Sequence, residues 1–391
     1  MTFLDRLCIS VAGPRIQDNL HISPVRWGWI LGAFVLAYGL FEIPSGALGD
    51  RSGHHRVLSR IVLWWSIFTS LTGVCMNFGQ LLITRFLFGA GEAGAYPNLS
   101  GVIARWFAAA ERARAQGFVW AASRLGGALS PILVVPLLRA FGWRSTFLIL
   151  GATGFVWVIA WRFGYPKSEK LPVSCQARRV IPWALVAKNR QVWLIFIMYW
   201  CYAWGSWFYM GWFPTYLVRA AGFTESEMGI FASFPFFLGV LGNLIGGFAS
   251  DRLVTKYGLK LGRRAVACSS LVVSAILILI MALSINKRII IVVSSLGFGV
   301  MDLMLPASWA VCLDIGREYS GVVSGVMNSA GQLGGFFCTV LVGYILRASG
   351  SYKISLCIIS GMVMVSAILF SRIDPTKPIT SRVPGESAVL P

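Results

Sequence analysis

A chain of 391 residues that is 57% hydrophobic and only 13% charged, with a mean hydropathy of +0.71, is too apolar for a soluble domain, where about a quarter of residues carry charge. It reads as a polytopic membrane protein. The net charge of +19 would suggest a nucleic-acid partner in a soluble chain, but here the cations sit in short loops between apolar runs and no readout module accompanies them, so none is expected.

Apolar runs of about 20 residues, each long enough to cross a bilayer, divide the chain into twelve spans. They cover 1–14, 25–48, 57–76, 80–103, 114–138, 143–163, 190–218, 225–250, 263–284, 289–313, 317–346 and 350–372, numbered spans 1 to 12 below. The first is short: 14 residues rise only about 21 Å, and a start upstream of Met1 is expected. No basic region precedes it that would mark a cleavable leader.

Span 1 carries an adjacent acid and base, Asp5 and Arg6. Span 2 carries Tyr38 and Glu42 and runs into Gly46-Ala-Leu-Gly-Asp50-Arg51-Ser-Gly53-His-His-Arg56. Its central acid-base pair returns 201 residues later, in Gly247-Phe-Ala-Ser-Asp251-Arg252 at the end of span 8. A duplication into two six-helix halves follows from that repeat.

Span 4 is the stretch around which the rest is arranged. Arg85 and Glu92 lie seven residues apart, which puts both on one helix face, roughly 10 Å apart along the axis. Charges in the hydrocarbon cost several kcal/mol on most scales and normally face a bundle interior or a water-filled cavity. Gly89, Gly91 and Gly94 between and beside them clear room for neighbouring helices. A structural ion pair inside the bundle is the plainer alternative.

Span 5 holds Arg124, span 7 Tyr199, span 10 Asp302 and Trp309, and span 11 Asn328. Counted at 1.5 Å per residue, Tyr38, Glu92, Arg124, Tyr199, Asp302 and Asn328 fall roughly 13 to 20 Å into their helices, near the bilayer centre. Polar groups gathered there from both halves mark the expected place of a transported substrate. Singly, Tyr38 and Tyr199 could be ordinary packing, and Asn328 could be interhelical glue.

Of the 34 Lys and Arg, Arg6, Arg85 and Arg124 lie deep inside spans; of the others, 22 lie in loops or near span ends on one side and 9 on the other. That asymmetry orients both termini to the cytoplasm of a cell membrane. Arg6 and Arg124 offer planar forks suited to a carboxylate, so an anion is the natural ligand. Arg124 could instead neutralise Glu92 or Asp302. Tyr199, Trp200, Trp207 and Trp309 could stack on a sugar or aromatic ring, or serve as packing and interface anchors.

The Gly46 to Arg56 segment matches the loop signature of the major facilitator superfamily, G-x-L-x-D-R-x-G-x-x-R. Leu-Asp5-Arg6, Arg85 with Gly-Glu92-Ala-Gly-Ala-Tyr-Pro97, Trp106-Phe with Glu111-Arg112 and Gln116-Gly117, and Trp212-Phe-Pro-Thr-Tyr-Leu217 resemble its anion:cation symporter family. That family includes permeases for hexuronates, galactonate, glucarate and phthalate, and the likeness runs from Asp5 to about Arg372. It implies an all-α membrane protein of 12 transmembrane helices in two six-helix halves, 1–163 and 190–372, joined by a cytoplasmic linker, 164–189, and followed by a short disordered tail, 373–391.

The resemblance implies uptake of a small organic anion, most of all a sugar acid, coupled to proton entry, by a monomer in contact with lipid and without a cofactor. Arg6, Tyr38, Arg124, Tyr199, Trp309 and Asn328 would contact substrate, and Asp5, Glu92 and Arg85 would couple protons. Asp50, Arg51, Asp251 and Arg252 would gate. Four positions depart from the sugar-acid pattern: Phe3 stands for a tyrosine, Glu42 and Arg124 for glutamines, and Tyr199 for a glutamine. Asp302 is a further unexpected acid, so Glu42 and Asp302 are candidates for setting specificity. Uptake of an aromatic or other carboxylate, export, and a transport-dead sensor remain as alternatives. An exporter would carry a glycine-proline signature where Ser123-Arg-Leu-Gly-Gly stands, and a sensor would carry an added soluble domain. An enzyme is not expected, since no nucleophile-base pair or metal set appears; the eight cysteines fall mostly in spans and suggest no disulfide framework.

Overall fold

A computed structural model describes residues 2–52, 54–106, 109–164 and 183–379, with parts of 43–55, 100–121 and 183–185 described by backbone alone. Among the described residues every regular element is helical. Span 2 is Pro24–Ser52, span 3 His54–Val74, span 9 Leu259–Leu283, span 11 Ser320–Ser349 and span 12 Tyr352–Arg372. Spans 5 and 6 share the helical run Ala109–Gly164, divided where Gly142 takes φ 74° and ψ 170°. That turn uses a backbone conformation that glycine alone adopts without strain.

The remaining spans are each broken near the middle or toward one end. Span 1 is Thr2–Val11 then Gly13–Asn19, span 4 Phe78–Glu92 then Ala95–Trp106, and span 7 Arg190–Gly211 then Phe213–Arg219. Span 8 is Glu225–Phe231 then Phe234–Tyr257, and span 10 Lys287–Asp302 then Met304–Gly316. The cause is the same each time. A proline at one of the first three positions of the second piece (Pro14, Pro97, Pro214, Pro235, Pro306) has no N–H to close the ladder and its ring pushes away the carbonyl four residues back. In span 4 the first piece ends at Glu92, and in span 10 it ends at Asp302.

Spans 2 and 11 lie along each other, and span 5 lies along span 8, so these four form much of the seam between halves. Inside each half, glycines set the spacing. A Cβ on Gly89 would stand 2.4 Å from the Phe34 carbonyl oxygen, one on Gly91 would enter the Trp64 ring, and one on Gly94 would meet Ser45. Spans 2 and 3 are therefore seated directly on the face of span 4 that the sequence marks. Gly89→Val is expected to push span 2 off this seat, lowering stability by about 1 to 3 kcal/mol; an unchanged melting temperature of the purified protein would count against the packing described.

Two expectations are corrected. Span 1 does not end at Pro14: the helix resumes at Gly13 and runs to Asn19, because Arg15 and Asp18, which look like loop charges, are paired with Glu225 and Arg219 of the other half. The tail is not disordered from its start. Ile373 and Ile379 are buried, the Ile379 N–H donates to the Ile315 carbonyl at 2.9 Å, and Asp374 pairs with Lys260 at 3.3 Å. Hydrogen bonds from Thr376 hold the Asp374 carboxyl down to about 2. The rest of the tail, 380–391, and linker residues 165–182 lie outside the described residues.

Candidate functional site

The seam between the halves encloses two arginine-carboxylate pairs. In the N-terminal half, Arg6 Nη2 donates to Glu92 Oε1 at 3.0 Å, with Glu92 fully buried and Arg6 8% exposed. The Arg6 guanidinium is packed over three rings, Phe3 at 5.0 Å, Phe34 at 5.1 Å and Tyr38 at 4.8 Å. Such cation-ring contacts hold a charge out of water without using its hydrogen-bond donors. Arg85 lies one layer away, over Phe34 and Phe88 at 5.0 and 4.5 Å. Among the described residues no carboxylate reaches it, and Asp5 beside it is buried with its Oδ1 unpartnered.

The second pair crosses the seam. Arg124 of span 5 reaches Asp302 of span 10 with Nε to Oδ2 at 3.1 Å and Nη2 to Oδ1 at 3.2 Å, the two-pronged geometry that suits guanidinium and carboxylate. Asp302, fully buried, has two further donors: Tyr202 at 3.3 Å and Asn243 Nδ2 at 3.0 Å. Tyr199 packs against Tyr202, with ring centroids 5.1 Å apart, and is hydrogen-bonded by Trp309. A third link also crosses the seam, Asn328 Nδ2 donating to Glu42 Oε2 at 2.6 Å.

These groups are closed off from one end of the molecule. At the end away from the duplicated Asp50 and Asp251 motifs, Arg15 makes a two-pronged pair with Glu225 and also donates to the Leu138 carbonyl. Arg219 pairs with Asp18 and donates to the Pro14 carbonyl at 3.3 Å. Arg139 donates to Ser226 at 2.6 Å. All three join one half to the other. Spans 2 and 11 meet there backbone to backbone, with the Gly28 Cβ position 2.6 Å from the Thr339 carbonyl oxygen and that of Gly343 2.5 Å from the Pro24 carbonyl oxygen. At the motif end the described ion pairs stay inside one half, Arg263 with Asp251 at 2.7 Å and with Asp314 at 3.4 Å.

Most residues singled out in the sequence are thus brought together, in three linked clusters: Asp5, Arg6, Tyr38, Arg85 and Glu92; Arg124, Tyr199, Asp302 and Trp309; Glu42 and Asn328. Of the gating residues, Asp251 pairs with Arg263 within its own half and Arg252 is exposed beside it, while the side chains of Asp50 and Arg51 lie outside the described residues. Of the aromatic set, Trp200 packs on Trp204 and Phe337, and Trp207 packs on Phe34.

Several members of these clusters are not singled out as site residues by the sequence, among them Phe3, Phe34, Phe298, Tyr202 and Asn243. Phe3 was noted only as a departure, yet its ring stands 5.0 Å from the Arg6 guanidinium and 5.8 Å from that of Arg124. Phe298 backs Arg124 at 5.5 Å. Tyr202 and Asn243 could have been found, since Tyr202 shares a helix face with Tyr199 at a spacing of three and Asn243 is an amide deep in an apolar run.

The sequence pattern of the Major Facilitator Superfamily matches residues 1–339. The chain belongs to that superfamily. It is 31% identical to a probable sulfoacetate transporter of Cupriavidus necator, over 99% of this chain and 94% of that protein. It is 27% identical to the hexuronate transporter of Bacillus subtilis, over 100% and 95%, and 28% identical to a probable L-galactonate transporter of Escherichia coli, over 94% and 85%. Among solved structures, a bacterial homolog of the human lysosomal transporter Spinster, in an inward-facing and occupied conformation, superposes with a TM-score of 0.76 at 19% identity, covering 94% of this chain and 91% of that one. The superfamily fold places the described helices as twelve membrane crossings, and the chain is a multi-pass membrane transporter, not an enzyme.

Proposed function

We propose that this superfamily member is a proton-coupled importer of a small organic anion, working by alternating access, with a sugar acid or a comparably small carboxylate or sulfonate as cargo. The observation that carries the reading is the Arg6–Glu92 pair. Arg6 is held by rings rather than by a set of acceptors, and its one described carboxylate partner has a second oxygen, Glu92 Oε2, with nothing to bond. An anion arriving at Arg6 competes with a single contact. A carboxylate left in a dry site without its partner is costly, and taking up a proton removes that cost. Binding of anion and proton then favour each other, which is what a symporter needs. The names of the relatives support the anion; Arg124, Glu42 and Tyr199 bear on which anion it is.

In this reading the motif end faces the cytoplasm, as the excess of cations there favours, and the far end, latched across the seam, faces outward. Asp50, Arg51, Asp251 and Arg252 act on the balance between open states rather than on affinity alone. Asp50→Asn is expected to change both the transport rate and the cysteine reactivity of the motif-end vestibule; if both stay unchanged, the gate is rejected. The function itself is tested by ligand-induced thermal stabilisation of the purified protein with aldonates, hexuronates, phthalate, short dicarboxylates and sulfoacetate, followed by uptake into vesicles under an imposed pH gradient. Stabilisation by at least one of these anions and acid-driven uptake of the same one are expected. No stabilisation by any of them overturns the organic-anion reading.

A further inference from the structure

We infer that the site is built for an anion with two acidic groups, one engaged by Arg6 and the other by Arg124, and that only the Arg6 position is tied to a proton. The inference rests on the organic-anion reading above and adds the number of acidic groups and the separate duty of each arginine. Its basis is a difference between the two pairs. Both arginines flank one ring, Phe3, at 5.0 and 5.8 Å, so the guanidiniums stand no farther apart than those two distances together. Both are buried and both keep an unsatisfied N–H, Nε of Arg6 and Nη1 of Arg124. A short molecule with two acidic ends fits two such donors; a monoanion leaves one of them unused.

The carboxylates behind them differ in what they keep when the arginine is drawn away. Glu92 has Arg6 as its one described donor, and its other oxygen is unpartnered. Around it among the described residues stand Arg85 on its own helix, Asp5 on span 1, Tyr38 of span 2 and Tyr96 just past the break in span 4. Losing Arg6 leaves Glu92 without a described hydrogen bond, which favours its taking a proton. Asp302 keeps Asn243 from span 8 and Tyr202 from span 7, one donor on each oxygen. Retained donors favour the charged form, so Arg124 can turn toward a substrate while Asp302 stays ionised. Arg124 therefore acts as a specificity residue whose partner is not part of the proton cycle, while Arg6 and Glu92 form the coupled pair.

Two matched pairs of probes test this on the full-length protein: galactarate against galactonate, which share a six-carbon skeleton, and sulfoacetate against acetate. Dissociation constants are measured for wild type, for Arg124→Gln and for the double variant Arg124→Gln/Asp302→Asn, which leaves no buried charge uncompensated if the single variant fails to fold. In wild type at least one dianion is expected to bind roughly tenfold or more tighter than its monoanion. In either variant that advantage collapses to about twofold or less while the monoanion still binds, and in the double variant the pH dependence of binding is unchanged. Equal wild-type affinity within both pairs, or equal weakening of mono- and dianion in the double variant, overturns the two-point site while leaving an organic-anion transporter standing. A pH profile altered by the double variant overturns the division of duties. Binding of none of the four probes, with sugar monoacids bound instead, also overturns the two-point site; binding of no organic anion at all removes the underlying reading with it.

Discussion

Glu92→Gln is expected to abolish accumulation of substrate against its gradient while exchange of labelled for unlabelled substrate continues. The substitution keeps the shape of the side chain and an oxygen that can accept from Arg6, whose Nη2 lies 3.0 Å from Glu92 Oε1 in the native protein. What it removes is the negative charge and the capacity to gain and lose a proton. Exchange needs only that the loaded carrier reorient, whereas accumulation needs the empty carrier to return with its acid deprotonated. With a permanently neutral side chain at 92, Arg6 is never recaptured by a carboxylate, and anion affinity loses its dependence on pH. Accumulation under an inward proton gradient should fall to the equilibrium level, with counterflow reduced by no more than several-fold. Accumulation at the wild-type level would show that Glu92 is not the coupling acid and would turn attention to Asp5, whose Oδ1 is also buried and unpartnered.

Arg6→Gln is expected to damage both binding and stability, and a second substitution should repair only one of them. Removing the guanidinium leaves a fully buried carboxylate with no described donor, a change that costs about 3 to 5 kcal/mol in comparable buried pairs. It also strips the cation from between Phe3, Phe34 and Tyr38. The melting temperature should therefore drop by many degrees. Anion affinity should weaken well over tenfold. In Arg6→Gln/Glu92→Gln the uncompensated charge is gone, so the melting temperature should return most of the way while affinity stays lost. Recovery of affinity in the double variant would mean that Arg6 serves the fold and that the anion is bound elsewhere.

How much of this was written in the sequence differs by element. Hydropathy locates the twelve spans because the bilayer fixes both the length and the polarity of a crossing. It fails at Gly13–Asn19 because Arg15 and Asp18 are neutralised by residues some 200 positions away, Glu225 and Arg219, and no local window can contain that. The breaks in spans 4 and 10 were legible in Pro97 and Pro306, although the sequence alone did not say that each break would fall beside its acid. Depth counting gathered Glu92, Arg124, Asp302 and Asn328 at one level, since rise per residue is constant. It could not pair them. That Arg124 takes Asp302 rather than Glu92, and that Asn328 takes Glu42, depends on how helices are rotated about their axes and on where the halves meet. Phe34 and Phe298 stay hidden, and Phe3 shows only as a departure from a tyrosine, for another reason: an aromatic residue in a membrane helix is the ordinary case, and only the guanidinium above each ring distinguishes these.

The latch at the far end differs from the central pairs in one respect that bears on how the carrier works in real fluids. Arg15 and Glu225 are 32% and 33% exposed, and Arg219 and Asp18 are 44% and 66% exposed, so dissolved ions reach them, whereas Arg6–Glu92 and Arg124–Asp302 are all but sealed. Salt at physiological strength screens exposed charges over about 8 Å and barely touches buried ones. Ionic strength is thus a control on the door at the latched end and not on the lock. In brine the door swings sooner and turnover through that step quickens, while the sealed pairs at the centre hardly feel the change; in dilute water the same protein holds its latched end shut for longer.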